Sequence, residues 1–235
     1  MKAAGIAAAI FLLSLAAGTA SADWSGQGKL GGVVARGNSD TETLTAVVDL
    51  ANALDHWTYK FGGSILHTVT NDITSADRWE LRAETNYNFT ERAFTFGTLR
   101  YENDSFTDYA YQATGAAGYG YRFIATAATK LEAQLGAGGR RAEIRVTDEI
   151  EEDAILRGAL NYEHFLTPAA RIYERFLVEA GADNTFMQNQ LGLEIKINSR
   201  FALGLDYTIR RNSDVLPGTR NSDQVYTTNL VYAFL

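Results

Sequence analysis

The chain has no cysteine, only two prolines and only three histidines among its 235 residues. Without cysteine no disulfide framework is possible. There is also no His-x-x-x-His pair and no EF-hand spacing, so the sequence carries no metal signature and no cofactor is expected. Pro168 and Pro217 fall where turns or loops are expected, so proline interrupts no regular segment. Beyond residue 22 no run approaches the ~20 apolar residues of a membrane-spanning helix. Basic residues are the minority: the formal charge is -7, which argues against a nucleic-acid partner.

The first 22 residues read as a targeting segment. Lys2 is a short basic start, Ile6 to Ala17 is apolar and uncharged, and Ala20-Ser21-Ala22 fits a small-residue cleavage site. Cleavage between Ala22 and Asp23 would leave one domain, 23–235. Loss of Lys2, the one charged residue removed, takes the charge from -7 to -8.

What remains is dominated by a two-residue rhythm. In Phe201-Ala-Leu-Gly-Leu-Asp-Tyr-Thr-Ile-Arg210, apolar Phe201, Leu203, Leu205, Tyr207 and Ile209 alternate with Ala202, Gly204, Asp206, Thr208 and Arg210. A strand shows alternate residues to opposite faces. The rhythm recurs in twelve segments, near 24–36, 42–54, 57–69, 78–89, 93–104, 109–122, 129–143, 154–165, 170–180, 186–197, 201–211 and 223–234, with no composition break between them. Abundant tyrosine (12) and phenylalanine (12) favour strands. Connections after odd segments read as polar and often long, such as Thr70 to Asp77 and Val146 to Asp153. Those after even segments are short, such as Asp55-His56 and Thr167-Pro168. Long loops at one rim and tight turns at the other are the pattern of an outer-membrane β-barrel, and an even strand count puts both termini at the tight-turn rim.

Alternation establishes two faces without saying which is wet. A soluble lipocalin-like barrel has the same rhythm with apolar residues inside. Three features favour a membrane. Aromatics sit at segment ends, as Tyr109, Tyr111, Tyr119, Tyr121 and Phe123 do in the sixth. The polar face is rich in small residues (Ala159, Gly192, Ala202, Gly204), and the leader is secretory. The fifth segment fits poorly: Phe94 and Phe96 are in phase with Arg100 and Glu102, which calls for a face-swapping bulge.

Several stretches resemble a known family. They are Trp24-Ser-Gly26-Gln-Gly28, Gly37-Asn38-Ser39-Asp40-Thr41, Arg92 to Asp104 with its Arg100-Tyr101-Glu102-Asn103-Asp104 core, and Gly118-Tyr-Gly120-Tyr121-Arg122. They are similar to the YdiY-like, salt-induced outer membrane proteins of unknown function. The resemblance implies an outer-membrane barrel in a Gram-negative bacterium, with outer-membrane lipid, lipopolysaccharide and the insertion machinery as partners. It implies no catalytic residue and links the chain to salt or osmotic stress through the family's name alone. Tyr232 and Phe234 form the expected C-terminal insertion signal, although Leu235 follows them.

On a membrane barrel the polar face lines the lumen. The residues expected there are Arg78, Glu80, Arg82, Glu84, Lys130, Glu132, Arg157, Glu163, Arg171, Arg175, Glu179, Glu194, Lys196, Asp206 and Arg210. Mixed signs allow cross-strand pairs worth ~0.2–1 kcal/mol each. Two readings stay open: a lumen filled by an ion-pair lattice, or a narrow channel for ions and small polar solutes. An outer-membrane hydrolase is the rival class. His56, His67 and His164 pair with no evident serine and carboxylate, so the expectation is a non-enzymatic, monomeric barrel. Glycines 115, 118, 120, 136, 138 and 139 read as curvature and lumen crowding. The acidic Asp148 to Asp153 run reads as a solvated loop or a divalent-cation site near lipopolysaccharide phosphates.

Overall fold

The computed structural model describes residues 24–35, 40–105, 107–215 and 220–234. The expected leader 1–22, the Ala22–Asp23 junction, the Gly37-Asn38-Ser39 turn, Pro217 and Leu235 lie outside the described residues. Among the described residues the elements are β1 (Trp24–Ala35), β2 (Thr41–Leu54), β3 (Trp57–Thr70), β4 (Ile73–Asn88), β5 (Ala93–Asp104), β6 (Tyr109–Ala125), β7 (Thr129–Ile144), β8 (Ile150–Thr167), β9 (Ala170–Ala180), β10 (Thr185–Lys196), β11 (Phe201–Asn212) and β12 (Ser222–Phe234). Each strand pairs antiparallel with its sequence neighbours, and β1 closes on β12 from Gly26↔Phe234 to Gly32↔Thr228. Closure leaves no open sheet edge, which is the condition for strands to cross lipid, where an unpaired peptide group finds no water.

The faces separate cleanly. Leu81, Leu99, Leu135, Leu156, Leu191 and Leu205 point outward and are exposed, Leu135 to 71%. The charged side chains Glu80, Arg100, Glu102, Arg157, Glu179 and Asp206 are buried inside. This is the inverse of a soluble barrel, so the wet face is the lumen. Outer aromatics cluster toward both rims. Trp57 and Tyr87 (ring centroids 5.0 Å apart), Tyr121 with Phe123, and Phe201 with Tyr232 and Phe234 lie toward the rim that holds both termini. Trp79, Tyr101 and Tyr111, and the Tyr207–Tyr226 pair at 4.6 Å, lie toward the other. These are the two interfacial girdles of a membrane barrel.

Two expectations are corrected. The fifth strand has no bulge: its registers with β4 and β6 run without a shift. Phe94 and Phe96 instead point into the lumen, fully buried at 0% and 3% exposure, in phase with Arg100 and Glu102. They fit because glycine faces them. Phe94 pairs with Gly120, where an added Cβ would come within 2.2 Å of the Phe94 ring. Tyr173, also lumenal, sits against its partner Gly192 in the same way, again at 2.2 Å.

The second correction concerns the rim opposite the termini. Thr70 to Asp77 is not a long loop: β3 and β4 continue to a two-residue tip, Asn71-Asp72, both in the left-handed region (φ 51 and 63) that Asn and Asp tolerate. Likewise β8 begins at Ile150, so the Val146 to Asp153 stretch is half strand. Alternation then divides its acids: Glu152 bonds Arg141 at 2.7 Å on the outside, while Asp153 bonds buried Arg140 at 3.1 Å. The run is therefore not one solvated loop. Among the described residues no group of three or more acidic or histidine side chains is placed to hold a metal ion.

Gly120→Ala and Gly192→Ala should each destabilise the barrel by about 1–3 kcal/mol through overpacking. Gly97→Ala, whose Cβ would meet nothing closer than 3.6 Å, should be near neutral. On the lipid face, Leu135→Arg should cost about 2–4 kcal/mol. Urea unfolding of the lipid-reconstituted barrel measures all four.

Candidate functional site

The lumen is the only surface where this chain gathers charge in quantity among the described residues, and strand pairing decides which charges meet. In one layer, Arg100 of β5 donates to its neighbour Glu102 at 3.1 Å and to Glu179 of β9 at 2.7 Å. Glu102 in turn accepts a bond from Arg210 of β11. In the closed ring β5 and β11 lie on opposite walls, so Glu102–Arg210 crosses the barrel. The two guanidinium groups stack on the Phe186 ring, at 4.5 Å for Arg100 and 4.9 Å for Arg210. A desolvated cation over an aromatic face gains about 2 kcal/mol, and both arginines are less than one-tenth exposed.

A second layer centres on Tyr173 of β9. Lys29 of β1 donates to its hydroxyl at 2.6 Å and approaches Asp206 at 3.5 Å, and the Tyr173 hydroxyl donates to Asp206. Asn229 also donates to Asp206, at 2.7 Å, and accepts from Thr45. Beside this set Arg171 bridges Glu163 (2.5 Å) and Glu194 (3.0 Å), and Lys130 donates to Glu163 from a largely exposed position near the rim.

A third set lies along β4, β6, β7 and β8. Glu84 accepts from Lys60 at 2.9 Å, Asn86 at 3.0 Å and Gln134 at 3.3 Å, and Arg157 donates to Gln134 at 2.7 Å. Arg157 also covers the Phe96 ring, as Arg122 covers Phe94 at 4.6 Å while pairing with Glu132 at 3.3 Å. Lys196 stands 5.7 Å over Phe165. Arg82 joins Asp49 (3.1 Å) to Glu80 (3.3 Å). Arg78 and Arg175 are held more loosely, 3.7 Å from Asp104 and 3.8 Å from Asp49. Each residue expected at the lumen from sequence thus has an interior partner, with Lys130 at its edge.

The histidines sit elsewhere. His56 is in the β2–β3 turn near Tyr87, His67 lies 3.5 Å from Asp77, and His164 bonds Thr129 at 2.9 Å.

Residues 28–234 match a family described as a protein of unknown function, DUF481. The chain belongs to that family. It is 25% identical over 179 residues to the uncharacterized protein YdiY of Escherichia coli (strain K12), covering 76% of this chain and 70% of the relative. Among solved structures it is similar to the translocator domain of the autotransporter NalP from Neisseria meningitidis, with 11% identity, TM-score 0.51 and 98% of each chain covered. It is also similar to the NanC porin (10%, 0.52, 90% of this chain and 99% of that one). An outer membrane channel from Pseudomonas putida F1 is a third match (9%, 0.52, 92% and 96%). At these identities the likeness is one of fold, and the fold is that of an outer-membrane β-barrel.

In this DUF481 chain, sequence reading had missed several lumenal groups. Lys29, Asp49, Gln134, Tyr173, Phe186 and Asn229 each make a contact described above; Gln134, Tyr173, Phe186 and Asn229 carry no charge, and Lys29 and Asp49 are the lone charges at the centres of their strands. The available signal was phase: Lys29 alternates with exposed Leu30, and Phe186 is in step with Glu194 and Lys196.

Glu102→Gln should destabilise the barrel by about 3–5 kcal/mol, because it leaves two buried guanidinium groups short of a charge partner. The paired change Glu102→Leu with Arg210→Met should lose less than the sum of its single variants. Unfolding free energies of the four proteins in a double-mutant cycle test this.

Proposed function

We propose that this protein is a structural outer-membrane barrel, closed to solute flow, in which an ion-pair and arginine–aromatic lattice fills the lumen. The observation that carries the reading is the Glu102–Arg210 contact between opposite walls, continued by Arg100–Glu179. A solute following the axis would have to part these buried pairs. The reading includes no enzymatic step. The barrel works as a monomer, with lipid and lipopolysaccharide against its outer face and the insertion machinery reading Tyr232 and Phe234. Such a barrel suits salt or osmotic stress, because it adds an element to the outer membrane without adding a leak.

A second reading, a narrow channel, draws support from one feature. A cavity of about 110 Å³ remains beside the lattice, along the wall formed by β1–β4 and β9–β12. The NanC porin and the Pseudomonas putida channel share the fold, and transport through the present chain would need that cavity to join both rims.

Conductance in planar bilayers separates the two. The expected result is no steady current from the wild-type barrel in either polarity, and discrete openings from the Glu102→Ala, Arg210→Ala double variant. Stable stepwise conductance from the wild type would overturn the closed-lumen reading.

A further inference from the structure

The lattice does not neutralise the lumen evenly. The cavity beside it is lined by five cations, Lys29, Arg78, Arg82, Arg175 and Arg210, and by three carboxylates. Those carboxylates are already engaged. Asp49 accepts from Arg82 at 3.1 Å, Glu80 lies between Arg82 and Arg100, and Asp206 is taken by Tyr173, Asn229 and Lys29. Arg78 and Arg175 are held most loosely, Arg175 with its guanidinium 5.2 Å from the Tyr173 ring centroid. Neither makes a side-chain hydrogen bond among the described residues, and each comes no nearer to a carboxylate than 3.7 and 3.8 Å. Arg175 keeps 42% of its side chain open. Arg210, only 8% exposed, has its Nε–H without an acceptor. Hydroxyl and amide groups of Thr45, Ser64, Gln188, Gln190 and Thr208 complete the wall.

A guanidinium presents five N–H donors and no acceptor. Two such groups facing a polar space in which the carboxylates are committed form a site complementary to an anion, and bidentate arginine contacts select for flat or tetrahedral oxyanions. The volume of about 110 Å³ admits a compact one.

We propose that the lumenal cavity lined by Arg78 and Arg175 binds a small soluble oxyanion, a phosphate or carboxylate group. Lipid phosphates are excluded by position, since the site faces the lumen and the lipid lies beyond the wall. The site is independent of closure, since the same cations and committed carboxylates line this space whether or not it joins both rims.

Calorimetric titration of the full barrel in detergent tests it, with inorganic phosphate and acetate as probes and chloride at matched ionic strength as the reference. Saturable heat is expected with phosphate, with acetate, or with both. Phosphate alone identifies a tetrahedral ligand, and acetate alone a carboxylate. Arg175→Gln should weaken binding about tenfold, the loss of a charge-assisted hydrogen bond, and Arg175→Lys should recover part of it. Arg141→Gln, on the outer surface, should leave it unchanged. The Arg175 side chain makes no hydrogen bond among the described residues, so its variants are expected to fold, which heat-dependent gel mobility verifies. No saturable heat beyond chloride for either probe would overturn the proposal, as would equal binding by folded Arg175→Gln. Conductance of the same preparation keeps the two readings apart. Current without binding removes both, no binding without current removes only the anion site, and current with binding removes only closure.

Discussion

Every backbone amide and carbonyl in a membrane-crossing strand must be paired, because hydrocarbon offers no partner and each orphan costs several kcal/mol. The meeting of β1 with β12 is therefore the condition on which the remaining structure stands. Closure turns a twelve-strand ribbon into an inside and an outside, and the period of two then assigns each residue to lipid or lumen without further instruction. Leucines that would be a liability on a soluble surface become the solvent-compatible face, and charged side chains are sent to the one region where water and one another are available.

The crowding of that interior governs its chemistry. An isolated buried charge is expensive, and a buried pair is close to neutral in net energy, so a lumen dense in arginine and carboxylate persists only if nearly every group is matched. Arg100, Glu102, Glu179 and Arg210 meet that demand by reaching across the barrel, and Phe186 supplies an aromatic face for the two guanidinium groups. The balance is incomplete along β1–β4 and β9–β12, where small side chains leave a cavity and cations outnumber carboxylates. Stability and the capacity to bind an anion thus come from the same lattice, in its matched and unmatched parts.

Much of the fold was legible because the membrane imposes a local code. The strand at Phe201–Asn212 shows both faces within a dozen residues, and the segment beginning at Trp57 does so nearly as well. The code failed where its physical cause lapses. At Ile73–Asp77 and Ile150–Asp153 the strands extend toward the rim, where both faces are polar, and alternation disappears although pairing continues. It failed also at Phe94 and Phe96, whose inward position depends on space left by glycine on the neighbouring strand. In the candidate site, the residue types at Arg78, Arg175 and Asp206 were readable, whereas their partners were not.

The sequence by itself determined the class, the number of strands and, outside β5 and the rim segments, the face that alternating residues take, because these depend on neighbours two residues apart. Only the tertiary structure decided that Glu102 meets Arg210, that Lys29 donates to Tyr173, and that the side chains of Arg78 and Arg175 make no hydrogen bond among the described residues. Those outcomes follow from the stagger and tilt of a closed ring, which set residues more than a hundred positions apart at one height, and no local pattern encodes that height.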